Sequence, residues 1–325
     1  MNARRVRLLR WLCLLGGGCL VSHAQPLQFT SAGRLTNNEV ALTFSAPTGR
    51  SYRIETATNA QDWGGLYTFP TNVTTSLQHT DSAAPYLPTR FYRAAQLTGS
   101  NILSGDHLNT ADGDVVIRPV DHAGFVLGWN DKWIYNDPAS GSFAGIPKAD
   151  LVLISHVHGD HFQPSYLTAA TVGKTNPIFI APQAVYLGMS AAMRSNTIVL
   201  TNGATTYVLG LNVEAVPAYD SSNHPKGSGN GYVVTIGGKR IYISGDTANQ
   251  PELRALTNID AAFIAMNTSF TMTASAATNL VRAMQPRIVY PYHFRESDGS
   301  TPNPPLFKQW FGTDLGIEVR LRKWY

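Results

Sequence analysis

The apolar run Leu151-Val152-Leu153-Ile154-Ser155 leads directly into His156-Val157-His158-Gly159-Asp160-His161. Imidazoles and a carboxylate crowded at the end of a strand constrain the fold more than any other feature of the chain. Donors of these types converge on a zinc-type ion at about 2.0–2.2 Å, and they do so only if the strand end is held rigid and further donors arrive from elsewhere. His156 and His158 stand at i and i+2 and so point the same way as the strand ends. Gly159 is expected to allow the sharp turn that swings Asp160 and His161 to a second position. A metal-binding α/β protein is the reading that follows.

The other ligands must be nitrogen and oxygen, because the chain has two cysteines, Cys13 and Cys19, and both lie in its first 24 residues. That segment reads as a secretory signal peptide: Arg4, Arg5, Arg7 and Arg10 precede an apolar run from Leu8 to Val21, and Ser22-His23-Ala24 offers small residues around a cut. The run falls short of the roughly 18–20 apolar residues that a membrane span needs, and no later segment reaches that length. An exported protein, periplasmic or extracellular, without a transmembrane helix is expected. Lipidation at Cys19 is disfavoured, since Gly16 stands where a lipoprotein signal needs a large apolar residue. The leader carries four of the 25 basic residues and none of the 21 acidic ones, which leaves 21 against 21. A neutral chain without a basic run has no surface for a nucleic acid, so the expected partner is a small-molecule substrate.

Residues 25–97 alternate over short spans, as in Val40-Ala41-Leu42-Thr43-Phe44 and Ser51-Tyr52-Arg53-Ile54-Glu55, with turn residues between. They predict a small all-β sandwich, followed by a linker over 98–112. From 113 to 325 apolar strand runs come first and helices appear between later ones, which suits a layered α/β domain. The clearest helix begins after Thr273 with an apolar stripe of Ala276, Ala277, Leu280, Val281 and Met284 and ends at Gln285-Pro286.

His-Val-His-Gly-Asp-His has the H-x-H-x-D-H form of the metallo-β-lactamase superfamily, which the chain resembles. Ile241-Tyr242-Ile243-Ser244-Gly245-Asp246-Thr247 is similar to that family's strand ending in G-D-T, and Val289-Tyr290-Pro291-Tyr292-His293 to the strand that delivers its last histidine. Asp121-His122-Ala123-Gly124-Phe125, Asn136-Asp137-Pro138, the stretch from His224 to Gly227 and Gly231-Tyr232 resemble the branch of ascorbate-6-phosphate lactonase-like and broadly named metal-dependent hydrolases. Tyr52 to Glu55, Asp62-Trp63 and Pro88 to Ala94 resemble fibronectin-like accessory modules of exported proteins.

The resemblance implies a four-layer αββα sandwich behind the small β-domain. It also implies two divalent ions, zinc with iron or manganese as alternatives. His156 and His158 would bind the first ion; Asp160, His161 and His293 the second; Asp246 both. Asp160 and Asp246 would be the catalytic carboxylates. The chain departs from the pattern at Val216-Pro217-Ala218-Tyr219-Asp220, where many members have a ligand histidine, which leaves Asp220 or His224 as the third ligand of the first ion. Asp137 is expected to orient a ligand histidine. His122, His224, Tyr219 and Asn267 are candidates for substrate contact, with Phe270 and Tyr292 as further wall. His79 and His107 are expected at the surface.

The implied chemistry is attack of a metal-activated hydroxide on an ester, lactone or phosphodiester. The contrasting reading is a non-catalytic exported protein whose N-terminal domain binds glycan or cell wall and whose metal site is structural or degenerate.

Overall fold

The computed structural model describes residues 27–98, 102–220, 222–311 and 316–325, together with the backbone of 5–8. The signal peptide expected over 1–24 otherwise lies outside the described residues. Chain contacts divide the protein into two compact units, Met1–Asn109 and Thr110–Tyr325.

In the first unit, β2 (Gln28–Arg34), β3 (Val40–Ser45) and β6 (Ser76–Asp81) form one antiparallel sheet. The second sheet is built from β4 (Ser51–Ala57), β5 (Gly64–Phe69), β7 (Thr89–Leu97) and β8 (Gly105–Leu108), with the short β1 (Arg5–Leu8) beside β7. Val40, Leu42 and Phe44 from one sheet and Tyr52, Ile54, Phe69 and Tyr92 from the other share a single apolar core. That is the expected result of alternating strands, each with one apolar face to hide.

Strand β8 falls inside the stretch read as a linker. Its residues pair with β5 and are buried, and His107, expected at the surface, is buried with Nε2 2.7 Å from Thr68 Oγ1. The stretch is polar and turn-rich, so strand pairing rather than its own pattern decided its state. His79 stacks on Tyr67 at 4.5 Å and is half-buried instead of free at the surface.

The second unit contains two sheets. In the first, β9 (Val115–Asp121), β10 (Gly124–Trp129) and β11 (Lys132–Asn136) run antiparallel, then β12 (Leu151–Leu153), β13 (Ile178–Ala181) and β14 (Thr197–Val199) follow in parallel order. In the second, β15 (Thr205–Val208), β16 (Leu211–Ala218), β17 (Gly229–Ile236) and β18 (Lys239–Ile243) are antiparallel neighbours, and β19 (Ala261–Ala265), β20 (Ile288–Tyr292) and β21 (Glu318–Val319) continue in parallel.

Aromatic rings join the two sheets. Phe125 of β10 stacks on Phe263 of β19 with centroids 4.1 Å apart, Tyr290 also stacks on Phe263 at 4.9 Å, and Trp324 meets both phenylalanines edge-on. The helices between parallel strands cover the outer faces: α1 (Pro164–Thr171) buries Leu167 and Ala170, and α2 (Gln183–Gly188) buries Val185. Across the second sheet lie α4 (Pro251–Arg254), α5 (Ala274–Met284) and α6 (Asn303–Gln309), while the short α3 (Ala191–Arg194) buries no residue. The four-layer αββα arrangement is thus the one observed. Helix α5 starts at a Thr273 cap, whose side chain accepts the Ala276 N–H, and stops at Gln285 in the left-handed region. No described helix is long and apolar enough to cross a membrane.

Asp81, at the end of β6, is fully buried beneath Arg90 Nε and Tyr92 Oη, each 2.8 Å away. Burial alone would raise its carboxyl, but the Arg90 charge and the hydrogen bonds outweigh this and hold it below the usual range. A lowered folded-state value means that the stabilisation is present above the unfolded value, about 3.9, and is lost as the pH falls through the folded one. Urea midpoints of wild type and Asp81→Asn should therefore differ at pH 7 and converge as the pH falls below about 4.

Candidate metal centre

The C-terminal ends of several strands open on one edge of the second unit, the place where parallel-stranded α/β sheets carry their ligands. Strand β11 runs out into Asp137, β12 into Ser155 and the histidine run, β18 into Gly245-Asp246, and β20 into His293. Strand β16 runs out into the loop from Tyr219 to Ser228, and the β9–β10 turn holds His122. Three of these residues adopt left-handed backbone: Asp137 at φ 38°, His122 at 52° and His293 at 47°. Such conformations cost of order 1–3 kcal/mol each and cluster where geometry is imposed on a site. Gly245 is left-handed as well, at φ 58°, and a Cβ there would meet Asn230 O at 2.9 Å. Gly159, by contrast, is not in the left-handed region. The turn expected of it is made by ordinary backbone, with His158 O accepting the N–H groups of His161 and Phe162.

Three groups of donors lie at the site, the first two sharing His156: His156, His158 and His224; His156, His161 and Asp246; His122, Asp160 and His293. His156 Nε2 lies 3.1 Å from His158 Nδ1, and His161 Nε2 lies 3.1 Å from His293 Nε2. Asp246 stands between the groups, Oδ1 at 3.3 Å from His161 Nε2 and Oδ2 at 3.5 Å from both His224 Nε2 and His293 Nε2. Asp160 Oδ2 is 3.4 Å from His293 Nε2 and 3.6 Å from His161 Nε2. Two donors about 2.0–2.1 Å from one tetrahedral ion are about 3.3 Å apart, so these separations fit cation binding. His224 Nε2 is buried without a hydrogen bond among the described residues, which also fits a donor aimed at a cation.

The polar groups behind the donors are specific. Asp137 Oδ1 accepts the Ser155 N–H at 2.7 Å, while Oδ2 accepts the Ser155 hydroxyl at 2.7 Å and lies 2.9 Å from His161 Nδ1. Ser155 Oγ is also 3.0 Å from His156 Nδ1. Asp220 Oδ1 accepts the N–H groups of Ser222, Asn223 and His224, and Oδ2 lies 2.5 Å from His224 Nδ1. Of the two residues left open by the sequence, His224 joins the donor group and Asp220 holds its ring.

Electrostatics follow from burial and crowding. Burial, and then the neighbouring His161, pushes His156 down to about 2. Burial opposes charge on Asp160 and Asp246, yet the facing histidines hold both carboxyls well below their usual range. Burial also opposes a proton on His161, but Asp246 and Asp137 raise it well above the ordinary histidine value, so an incoming ion would displace a proton there.

The other candidates lie differently. Tyr219 sends its hydroxyl to Glu252, 3.1 Å from Oε2, under the Lys226 ammonium, so it joins the loop to α4. Asn267 is buried and ties its own loop, its amide donating to Arg295 O and accepting the Ser269 N–H. Tyr292 is buried, and its hydroxyl accepts the Gly245 N–H at 3.0 Å. Phe270 is exposed. His122 places Nε2 3.1 Å from Asp160 Oδ2. Sequence reasoning passed over Ser155, although a hydroxyl directly before the first histidine was a usable signal. It also passed over Tyr325, 3.1 Å from His122 Nδ1, for which no local signal exists.

Residues 116–293 match the model of a beta-lactamase superfamily domain. A metal-dependent hydrolase of Thermococcus onnurineus is 30% identical over 220 residues, covering 63% of this chain and 96% of that protein. One from Deinococcus radiodurans is 31% identical over 178 residues, 52% of this chain and 75% of that protein. Among solved structures, a putative metal-dependent hydrolase from Parabacteroides distasonis is similar with a TM-score of 0.60 and 34% identity, covering 68% of this chain and 99% of that one.

Replacing Asp137 with Asn removes the charge that fixes His161. The expected outcome is a folded protein whose affinity for the ion at His161 falls about 10–100-fold, measured by zinc competition with a chromophoric chelator.

Proposed function

Because the chain belongs to the metallo-β-lactamase superfamily, we propose that its second unit is a metal-dependent hydrolase holding two divalent ions side by side. His156, His158 and His224 would hold the first, Asp160, His161 and His293 the second, and Asp246 would touch both. The observation that carries this reading is the convergence of donors at ligand-edge separations, with a buried His224 Nε2 that has no hydrogen bond among the described residues. When bound, such ions supply Lewis-acid polarisation of the scissile group and a water activated at neutral pH.

The chain's own residues provide the setting. Asp137 and Ser155 orient His161 and His156, and Asp220 orients His224. Asp246 is buried, whereas the Asp160 side chain is 48% exposed, which makes Asp160 the carboxylate able to accept a hydrogen bond at the open side. No serine or cysteine nucleophile is needed.

The substrate class we propose is a small ester, lactone or phosphodiester, in keeping with the resemblance to lactonase-like hydrolases. Zinc suits the thiol-free nitrogen and oxygen donors, with iron and manganese as alternatives. The leader-like first 24 residues support export, and the fibronectin-like pattern of the first unit supports a role in glycan or cell-surface contact.

EDTA treatment should abolish turnover of a panel of lactones, esters and phosphodiesters, and zinc should restore it. His158→Ala should bind one ion fewer by elemental analysis. Full turnover by metal-free protein would refute the hydrolase reading, and glycan binding by a metal-loaded protein without turnover would favour an attachment protein.

A further inference from the structure

His122 occupies the turn between β9 and β10, and its backbone is tied on both sides: its N–H donates to Trp324 O and its carbonyl accepts the His293 N–H, each at 3.3 Å. Its ring lies 4.0 Å from that of His293. Nε2 faces Asp160 Oδ2 and Nδ1 faces Tyr325 Oη, both at 3.1 Å. Two contacts from one ring to two different side chains make the protonation pattern of the imidazole decisive, since the neutral ring has one donor and one acceptor nitrogen.

Asp160 can only accept, so the imidazole nitrogen facing it must carry the hydrogen, and Tyr325 is placed to donate to the other nitrogen. Its oxygen already accepts the backbone N–H of Arg295 at 3.2 Å, so its own proton is available to donate to His122 Nδ1. Burial pushes the phenol up, and it keeps that proton. The ring is clamped by the Arg295 guanidinium, 3.7 Å above it, and by Phe294 at 5.2 Å. With Nδ1 accepting, Nε2 carries the hydrogen and donates to Asp160. The opposite tautomer would aim a lone pair at the carboxylate. Asp160 needs such a hold because its side chain is 48% exposed on a loop and has rotamers to lose.

We propose that Tyr325 is a positioning residue for the second ion, acting through His122: its hydroxyl fixes the imidazole tautomer whose Nε2–H holds Asp160 in its ligating orientation. The inference rests on the two-ion reading of the site, and its test is read from metal binding so that the two can fail separately.

The experiment uses the full chain and zinc alone. Chelator competition gives the affinities of both ions, and long-range 15N–1H spectra give the His122 tautomer. Wild type should show the Nε2–H form. Tyr325→Phe, which keeps the packed ring, should weaken the second ion about 10–100-fold and leave the first unchanged. Adding Tyr325→Phe to His122→Gln should cost nothing further, because both act through one contact.

Unchanged second-ion affinity in Tyr325→Phe, additive losses in the double variant, or uptake of a single ion by wild type would overturn the proposal. So would an Nδ1–H or metal-bound His122. Should Tyr325→Phe melt early, the wild-type tautomer decides by itself. Loss of hydrolysis with intact metal binding would count against the enzyme reading and not against this one.

Discussion

The Asp137 carboxylate lies between the end of β11 and the start of the histidine run, and the site is assembled around it. One oxygen accepts the Ser155 N–H; the other accepts the Ser155 hydroxyl and faces His161 Nδ1. A buried carboxylate is costly unless each oxygen is satisfied, and here both are satisfied by the residues that must be oriented. Asp137 is itself anchored, since its N–H donates to Leu153 O in the parallel pairing of β11 with β12. Strand register is thereby translated into the direction of an imidazole.

The same logic recurs around the site with different chemistry. Asp220 folds a tight loop on its own carboxylate and turns His224 inward. Tyr292 caps the Gly245 N–H from the neighbouring end of β20, beside the aspartate that contacts both donor groups. Tyr325 reaches His122 from a distant part of the chain. His156, His161 and His224 each have the ring nitrogen away from the donor cluster engaged by a hydroxyl or a carboxylate, so these rings are held in position before any ion arrives.

Much of this was legible from local pattern. The histidine run after an apolar strand, the G-D-T strand and the strand ending in His293 name most of the candidate donors, because buried parallel strands read as continuous apolar runs that stop at the ligand segments, and ligand side chains are chemically distinctive. Helix α5 was legible from its cap and stripe. Strand β8 was not, since a short polar strand has no pattern of its own and exists through pairing with β5. Tyr219 and Asn267 looked like pocket wall because they adjoin ligand segments. Adjacency along the chain does not decide which way a side chain turns, and theirs turn to Glu252 and to the Arg295 carbonyl.

By itself, the sequence determined the chemistry available to this protein: nitrogen and oxygen donors, no thiolate outside its first 24 residues, and strand ends on which to mount them. Only the tertiary structure placed His224, and not Asp220, in one group with His156 and His158, and only it brought Tyr325 to His122. Both depend on contacts between segments that carry no mark of one another in the sequence. The direction of a ring is set by the hydrogen bond at its far nitrogen; for His224 and His156 that partner is local, Asp220 and Ser155, whereas for His161 it is Asp137 at the end of the neighbouring strand.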